Sequence, residues 1–537
     1  MKRRSFLESP RFPIDVVNEA SAKEKSGGGR PPHWEMVFWW TRKPLASARA
    51  IIAGALLPED VDPDKFIRAL RLRGDKVAHR LNPDLRILGE YANCIEGKSL
   101  LDPFAGFGSI PLEAIRLGLS PVVAVELLPT AYIFLKAVLE YPLKYGENLV
   151  KDVERWGKWI VEQLRKDPQI RELYDENVAV YIGTWEVKCP HCGKWTPLIG
   201  NWWLARVKKR NKYSRLAWMD YEKEDDKIKI RVIDLNRELN RREITAKIDT
   251  KRGIVEVEVI RGQKKIYRVR TPNIQARNEI ATCLHCGNPI RYVDTQTGRH
   301  YTEKPRSLRE RAEWYVKHAI KKYNQGDKTL ARQRILVRVK IVGRDLVFEP
   351  ATEQDQQKLQ KAEKYIQELL EKKDPDIPTE QISIYENRSI WVVVYGFDRF
   401  YKLFNPRQLL TLVKIVKLVR EAGHRIEQEK TQQGHTKEEA HKYAEAITTY
   451  LAIALCRRTQ VSSIVNCWAP TMWSKSKIAP AVQSFRGIAI QWNYVDNNPL
   501  VENFPMTWVG IINLILNGIV YIACLLYTSD AAETERV

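Results

Sequence analysis

The sequence predicts an α/β fold. A parallel strand–loop–helix–strand unit carries a ligand loop, interrupted by a cysteine-stapled, β-rich insertion and joined by further helices. Three observations predict it. The stretch Ser99-Leu-Leu-Asp-Pro-Phe-Ala-Gly-Phe-Gly-Ser-Ile-Pro-Leu-Glu-Ala-Ile-Arg-Leu-Gly118 reads as a short buried strand, a glycine loop and a helix. Two C-x-x-C-G pairs, Cys189 to Gly193 and Cys283 to Gly287, are separated by ninety residues, 193–282. Between them, short runs such as Ile228–Asp234, Ile254–Ile260 and Lys265–Val269 alternate as strands do.

The glycine stretch is the organising element. Ser99 to Leu101 form the strand and Asp102 to Gly108 the loop. Ser109 suits the helix N-cap, Pro111 its first turn and Gly118 its stop. Gly106 and Gly108 allow a sharp turn and a close approach to a ligand. A second strand, Pro121 to Val125, ends in Glu126, an acidic residue placed to accept hydrogen bonds from ribose hydroxyls. The dinucleotide fingerprint G-x-G-x-x-G fails, because its third glycine would fall at Pro111.

The chain has 537 residues, 44% hydrophobic and 29% charged, with a net charge of +22. These values exclude a disordered chain and point to a polyanionic partner, most simply nucleic acid. Eight cysteines, four of them in the two pairs, indicate metal binding in a reducing cytoplasm rather than a disulfide framework. The start, Met-Lys-Arg-Arg-Ser, is not followed by the apolar core of a signal peptide. We therefore expect a cytoplasmic protein. The uncharged run Met506 to Ser529 is long enough to span a membrane, but Asn513 and Asn517 interrupt it. It reads as a core helix, and no membrane partner is expected.

In chain order, residues 10–33 form a Pro/Gly/Ser-rich loop, and the run from Trp39 to Ile52 forms a helix of small residues entered at Pro44. That helix either packs as ordinary core or closes over the glycine loop. Leu127 to Pro142 continue as the next helix, and residues 147–175 form a charged amphipathic connector. In the two knuckles, four thiolates complete the tetrahedral set that zinc prefers when no position is left for water. His191 and His285, inside the knuckles, are not expected to be ligands. Within the insertion, Lys208–Lys212 and neighbouring basic residues interleave with Trp202, Trp203, Tyr213 and Trp218. Two readings stand: nucleic-acid binding by stacking and phosphate contact, or a small domain whose aromatic residues form its core. Charged helices follow at 303–325 and 352–373, divided by a strand near Ile335–Val342. A long helix begins within Tyr395–Leu410 and runs to about Ala422, and another spans Lys437–Arg458.

Asp102-Pro-Phe-Ala-Gly-Phe-Gly108 resembles the S-adenosylmethionine loop of amino-group DNA methyltransferases, D-P-F-x-G-x-G. Phe12-Pro-Ile-Asp-Val-Val-Asn18, Glu24-Lys25, His33 and the Trp39–Ala50 run resemble the start of a bacterial and archaeal family described as adenine-specific DNA methylases containing a zinc ribbon. Its N-terminal part is a domain of unknown function. Gly396 to Leu410 and the Trp492-to-Pro499 segment resemble further segments of that family, so that the likeness spans about Phe12 to Ile522. Leu127 and Leu128 depart from it, standing where the family has polar residues.

The resemblance implies a Rossmann-like S-adenosylmethionine-dependent methyltransferase domain with a zinc-ribbon, β-rich insertion and additional helices. The expected divisions are 1–175, the N-terminal segment and cofactor-binding half; 176–300, the insertion; 301–385, a helical and mixed linker; 386–522, the continuation of the methyltransferase domain; and 523–537, a tail resembling translated sequencing adapter. Asp102, Phe104, Gly106, Gly108 and Glu126 would hold S-adenosylmethionine, and Cys189, Cys192, Cys283 and Cys286 a structural zinc. The implied reaction is methylation of an exocyclic amine in DNA, with the family label carrying the choice of adenine N6. Such enzymes need (Asp/Asn)-Pro-Pro-(Tyr/Phe) to hold the target amine. The one Pro-Pro here, Pro31-Pro32, follows Arg30, and Asn498-Pro499 is followed by Leu500. No catalytic residue is therefore assigned, and the chain as it stands is expected to bind cofactor without transferring methyl. The rival readings are an RNA methyltransferase and a non-catalytic zinc-ribbon subunit that binds nucleic acid.

Overall fold

In the computed structural model, residues 4–39, 42–260, 262–308, 310–343, 345–383, 385, 389–471, 478–479, 487–502 and 504–527 are described. They fall into two units, Met1–Ile160 with Leu418–Arg457 and Ile511–Val537, and Val161–Lys417 with Arg458–Gly510. The stretch 386–522, expected to continue the glycine-loop domain, is shared between them. The expected adapter tail lies outside the described residues from 528 onward.

The first unit opens with helices α1 (Ile14–Lys25), α2 (Leu45–Leu56) and α3 (Pro63–Ala69). Phe6, Phe12 and Phe66 meet edge to face with centroids 5.0–5.7 Å apart and anchor their core. The alanines of α2, Ala46, Ala48, Ala50 and Ala53, are all buried and let neighbouring helices approach closely. Pro44 precedes α2 and has no side chain to cap it, so Glu24 of α1 does so from a distance. Its carboxyl accepts from the Leu45 and Ala46 amides at 2.7 and 3.0 Å.

Burial pushes Glu24 from 4.5 up to about 7, against the pull of the Ala46 bond and with Glu113 adding to the rise. A raised carboxyl stabilises fully below its ordinary pKa and loses that contribution as pH climbs toward the folded value. Glu24→Gln should therefore gain on the wild type by about 3 kcal/mol between pH 4.5 and 8. Urea denaturation at both pH values checks this; a pH-independent difference would rule it out.

The strand–loop–helix–strand run is present as β1 (Leu100–Asp102), α4 (Ser109–Arg116) and β2 (Val122–Ala124). The strands pair in parallel, Leu100 with Val122 and Asp102 with Ala124. Gly108, not Ser109, is the residue before the helix, and it takes the left-handed conformation that a side chain would strain. Among the described residues β1 pairs only with β2, so a full Rossmann sheet is not seen. Leu100 and Val122 face the packed side, whereas Leu101 and Val123 are exposed. After β2, α5 (Pro129–Leu135) continues through a π-turn at Lys136–Glu140 into the helix Tyr141–Lys166.

The helix Trp508–Tyr527 is long and apolar enough to cross a membrane by length and composition. From Ile511 onward it packs into the first unit. Ile522, Leu525 and Leu526 join Leu112, Ile115 and Leu135 in one core cluster, and Asn513 and Asn517 lie on its exposed side.

The second unit is built on β3 (Val178–Lys188), buried along all but its last residue. It pairs antiparallel with Ala331–Val342 on one side and Tyr494–Asn497 on the other, within a seven-stranded sheet. β4 (Trp195–Pro197) folds back on the end of β3 and encloses the first knuckle. Two antiparallel three-stranded sheets make up most of the insertion, and a third small one, Ile274–Gln275, Ile280–Thr282 and Pro289–Ile290, surrounds the second knuckle. The first comprises β5 (Trp203–Lys209), β6 (Lys212–Glu224) and β7 (Lys227–Asp234). The second comprises β8 (Ala246–Asp249), β9 (Ile254–Ile260) and β10 (Gln263–Arg268). Tyr213 and Ile244 exchange backbone hydrogen bonds at 2.8 Å and join the two sheets.

In the same unit, the two later segments that resemble the methylase family bind each other. Arg407 Nε donates to Asp496 at 2.8 Å, Asn405 donates to the same carboxylate at 3.0 Å, and both members of the ion pair are fully buried. The guanidinium lies 3.9 Å from the centroid of the Tyr181 ring.

Candidate ligand loop and metal centre

The five residues expected around a ligand meet at the carboxyl ends of β1 and β2, where open parallel sheets bind ligands. Backbone bonds carry the strand pairing into the loop: Val125 N–H donates to Asp102 and Ala105 N–H to Val125, at 2.9 and 3.0 Å. Gly106 (φ +55°) and Gly108 (φ +82°) are both left-handed, which accounts for the glycines. The Asp102 Oδ1 accepts from the Phe104 amide at 3.1 Å. Its Oδ2, on a residue only 8% exposed, has no partner among the described residues, and neither has the buried Ser109 Oγ. Two orphaned polar atoms beside a glycine loop are what a polar ligand would satisfy. Phe104, 82% exposed, and Leu127, 89% exposed, offer apolar cover on either side.

Glu126 sits at the tip of β2 but is engaged differently from the simple expectation. One oxygen accepts from the Gly106 amide at 2.8 Å and the other from the Leu127 and Leu128 amides at 2.9 and 3.2 Å. These backbone bonds hold its carboxyl below the ordinary range, with Leu128 and Gly106 the strongest. A carboxylate has about four lone-pair sites, so three are taken and one remains for a ligand hydroxyl. Glu126 thus also ties the loop to the second strand.

Behind the loop stand residues whose contacts the sequence did not show. His33 is fully buried, stacked on Phe107 at 5.7 Å and on Tyr521 at 5.5 Å, and neither ring nitrogen has a partner among the described residues. Burial, with the charges of His79 and Arg42 adding, pulls it to about 3, so it is neutral. A Cβ at Gly106 would stand 3.7 Å from the Trp39 indole nitrogen, so the Trp39 segment does lie against the loop; Trp40 and Thr41 are outside the described residues. Helix α4 is fastened from below by a buried charge cluster. Glu113 accepts from Arg49 of α2 at 2.7 Å and from Arg116, and all three side chains are sealed from solvent. Burial pushes Glu113 up, and Arg116 and Arg49 more than reverse it, leaving the carboxyl below its ordinary value.

The four knuckle cysteines converge. Their sulfurs all lie within 4.8 Å of one another, with Cys189–Cys286 at 3.8 Å and Cys192–Cys283 at 3.7 Å. Zn–S bonds of about 2.3 Å in a tetrahedron put sulfurs about 3.8 Å apart, so the cluster is compatible with a structural zinc. The knuckles are built alike. Gly193 (φ +71°) donates to the Cys189 carbonyl at 2.9 Å, and Gly287 (φ +76°) to the Cys283 carbonyl at 3.0 Å. The histidines are not ligands. His191 Nε2 donates to the Pro289 carbonyl and His285 Nε2 to the Trp195 carbonyl, each at 3.1 Å, so each knuckle is tied to the chain leaving the other.

Two of the four aromatic residues singled out in the insertion belong to its core, while Trp203 and Tyr213 are half-buried. Trp202 and Trp218 are buried, with Trp202 Nε1 donating to the Thr271 carbonyl at 2.9 Å. They are core. Lys208 to Lys212 are all exposed.

A family model described as a protein of unknown function (DUF1156) matches residues 11–72. That stretch contains α1 to α3, and with them His33, Trp39 and Arg49, the residues set against the glycine loop and its helix. No curated protein and no solved structure matches the chain.

Proposed function

We propose that the chain is the cofactor- and nucleic-acid-binding part of an S-adenosylmethionine-dependent amino methyltransferase acting on DNA, with adenine N6 as the acceptor. The observation that carries the reading is the Asp102 Oδ2, without a partner among the described residues, beside a loop of left-handed glycines at the ends of two parallel strands. Asp102 would accept from the amino group of the cofactor's methionine part, and the last free site on Glu126 from a ribose hydroxyl. Phe104 and Leu127 would cover the adenine. When bound, S-adenosylmethionine supplies an electrophilic methyl group, and the protein's part is to orient it and exclude water. The four thiolates hold zinc, which has no open position there and serves structure alone.

The 537 residues contain no (Asp/Asn)-Pro-Pro-(Tyr/Phe) motif to fix a target amine. Cofactor binding without methyl transfer is therefore expected of this chain. The same absence favours, as a second reading, a non-catalytic subunit that binds nucleic acid.

Isothermal calorimetry with S-adenosylmethionine tests the site. Gly106→Val forces a branched side chain into left-handed backbone beside Trp39, and Glu126→Ala removes both the ribose acceptor and the tie to Gly106. Each should weaken binding at least tenfold, about 1.4 kcal/mol. Wild-type affinity in both would overturn the reading. A tritiated-methyl assay on unmethylated DNA should give no transfer; transfer would show that the acceptor is held by other residues.

A further inference from the structure

The net charge of the chain is concentrated in its insertion. From Trp203 to Arg270 there are 21 Lys and Arg against 11 Asp and Glu, a net +10 of the total +22. These charges are also sorted along the strands. Toward the β6–β7 turn the basic residues are neutralised: Lys229 pairs with Glu224 at 2.7 Å, Arg231 with Glu222, and Lys194 of the first knuckle with Asp226 at 2.9 Å. That end also touches the second knuckle, where Lys223 donates to the His285 carbonyl at 2.6 Å. The opposite end of β6 carries the β5–β6 turn. There Lys209, Arg210 and Lys212 are exposed and form no ion pair among the described residues. The Tyr213–Ile244 backbone pair brings the loop with exposed Arg241 and Arg242 beside this turn. Arg241 is fixed there by donating to the Glu258 carbonyl at 2.8 Å.

We propose that this end of the insertion, centred on Lys209, Arg210, Lys212 and Arg242, grips the phosphate backbone of duplex nucleic acid, while the cysteine knuckles serve as its base. Three points set the partner. Unpaired cations grouped at one end attract a polyanion, whereas the same number dispersed among carboxylates would only solvate the surface. The tip of a two-stranded hairpin fits a groove, where its flanking cations reach phosphates. Single-strand binding relies on exposed aromatic platforms, and here Trp202 and Trp218 are buried and Trp203 and Tyr213 are half-buried. Phosphate contact without stacking favours a duplex. The inference rests on the nucleic-acid part of the proposed function and is independent of methyl transfer.

The test is fluorescence anisotropy on the full chain. The probes are a fluorescein-labelled mixed-sequence DNA duplex of about 25 base pairs and one of its strands, titrated between about 50 and 200 mM salt. Lys209→Ala/Arg210→Ala/Lys212→Ala is compared with Lys364→Ala/Lys372→Ala/Lys373→Ala, which removes three exposed charges from the helix Glu353–Glu371 and the two residues after it, outside the insertion. Each phosphate contact contributes about 0.9 to the slope of log affinity against log salt. The hairpin variant should therefore lower that slope by about 3 and weaken duplex binding tenfold or more. The helix variant should stay within about twofold of wild type. Equal losses in both variants would mean diffuse attraction and overturn the proposal. So would tighter binding of the single strand, or failure of the wild type to bind either probe. Loss of S-adenosylmethionine binding in the Gly106 variant with intact duplex binding separates the two proposals.

Discussion

Stripping the metal from the four-thiol cluster should unfold both knuckles and release the ends of the inserted sheets. Metal analysis of protein purified without chelators should first find one zinc per chain on Cys189, Cys192, Cys283 and Cys286. The knuckles have backbone and histidine bonds of their own, but these do not offset the charge of the cluster: four sulfurs within 4.8 Å of one another would repel as thiolates without a cation between them. Binding energies of structural zinc run to about 10–16 kcal/mol and are largely folding energy. Treatment with a strong chelator should therefore make the segment between the knuckles protease-sensitive and collapse the near-ultraviolet circular dichroism of buried Trp202 and Trp218. Cys189→Ser should do the same without chelator. Cys94→Ser, which alters a cysteine outside the cluster, should leave both signals unchanged. Retention of the circular dichroism signal and of protease resistance in metal-free protein would refute a structural metal.

The second large effect is expected at Glu113. Among the described residues its carboxylate is the one that forms an ion pair with the buried Arg49 and Arg116 guanidiniums. Arg49 Nη1 also donates to the Leu70 carbonyl at 2.8 Å, and Arg116 Nη2 to the Leu81 carbonyl at 2.9 Å, so neither arginine can turn outward cheaply. Glu113→Gln preserves shape but leaves two cations sealed together. Breaking a buried pair costs about 3–5 kcal/mol, and the upper end is expected here. Arg49→Met should cost about half as much, because Arg116 still neutralises Glu113. The sign with pH is fixed by the depressed carboxyl. Its stabilisation is complete above the ordinary value of about 4.3 and fades as pH falls through the lower folded value. Urea denaturation should show that acid-side loss in the wild type and its absence in the glutamine variant. A cost below about 1 kcal/mol for Glu113→Gln would mean that the cluster is not sealed as described.

The parts legible in the sequence were those with a local covalent or conformational reason. Gly106 and Gly108 are glycines because their backbone is left-handed. Each cysteine pair announces itself by its spacing and its following glycine, and the parallel strands stand on either side of the loop that joins them. What escaped was assembled from distant positions. His33, Phe107 and Tyr521 form one stack, and no window of sequence contains them together. Arg49 lies in a helix of alanines, where a lone cation among small apolar residues is a hint of a buried partner; the partner is found only in α4. The tryptophans of the insertion were ambiguous because a stacking platform and a strand core share a composition. Period-two alternation would have separated them, since Trp202 and Leu204 point inward while Trp203 between them is only half-buried. The helix Pro406–Gln432 runs some ten residues beyond the expected stop at Ala422 because Gly423, the stop signal there, keeps helical backbone and the chain turns left-handed only at Gly434.

The paired knuckles have a consequence for how such a chain can change over evolutionary time. The ninety residues between them leave and return at one four-thiol cluster, and the crossed histidine bonds brace that junction from both sides. The sheet β5 to β7 is also bonded to the rest of the second unit, Trp468 Nε1 donating to the Leu204 carbonyl at 2.7 Å and Arg215 Nη2 to the Leu346 carbonyl at 2.6 Å. What the junction leaves free to vary is therefore the outer sheet, β8 to β10. Doubling a loop closed in this way costs only about 0.6 kcal/mol of closure entropy. That outer sheet is in effect an exchangeable cassette on a fixed socket. Descendants can lengthen it, trim it or swap it for another module while the socket and the sheets behind it keep their sequence.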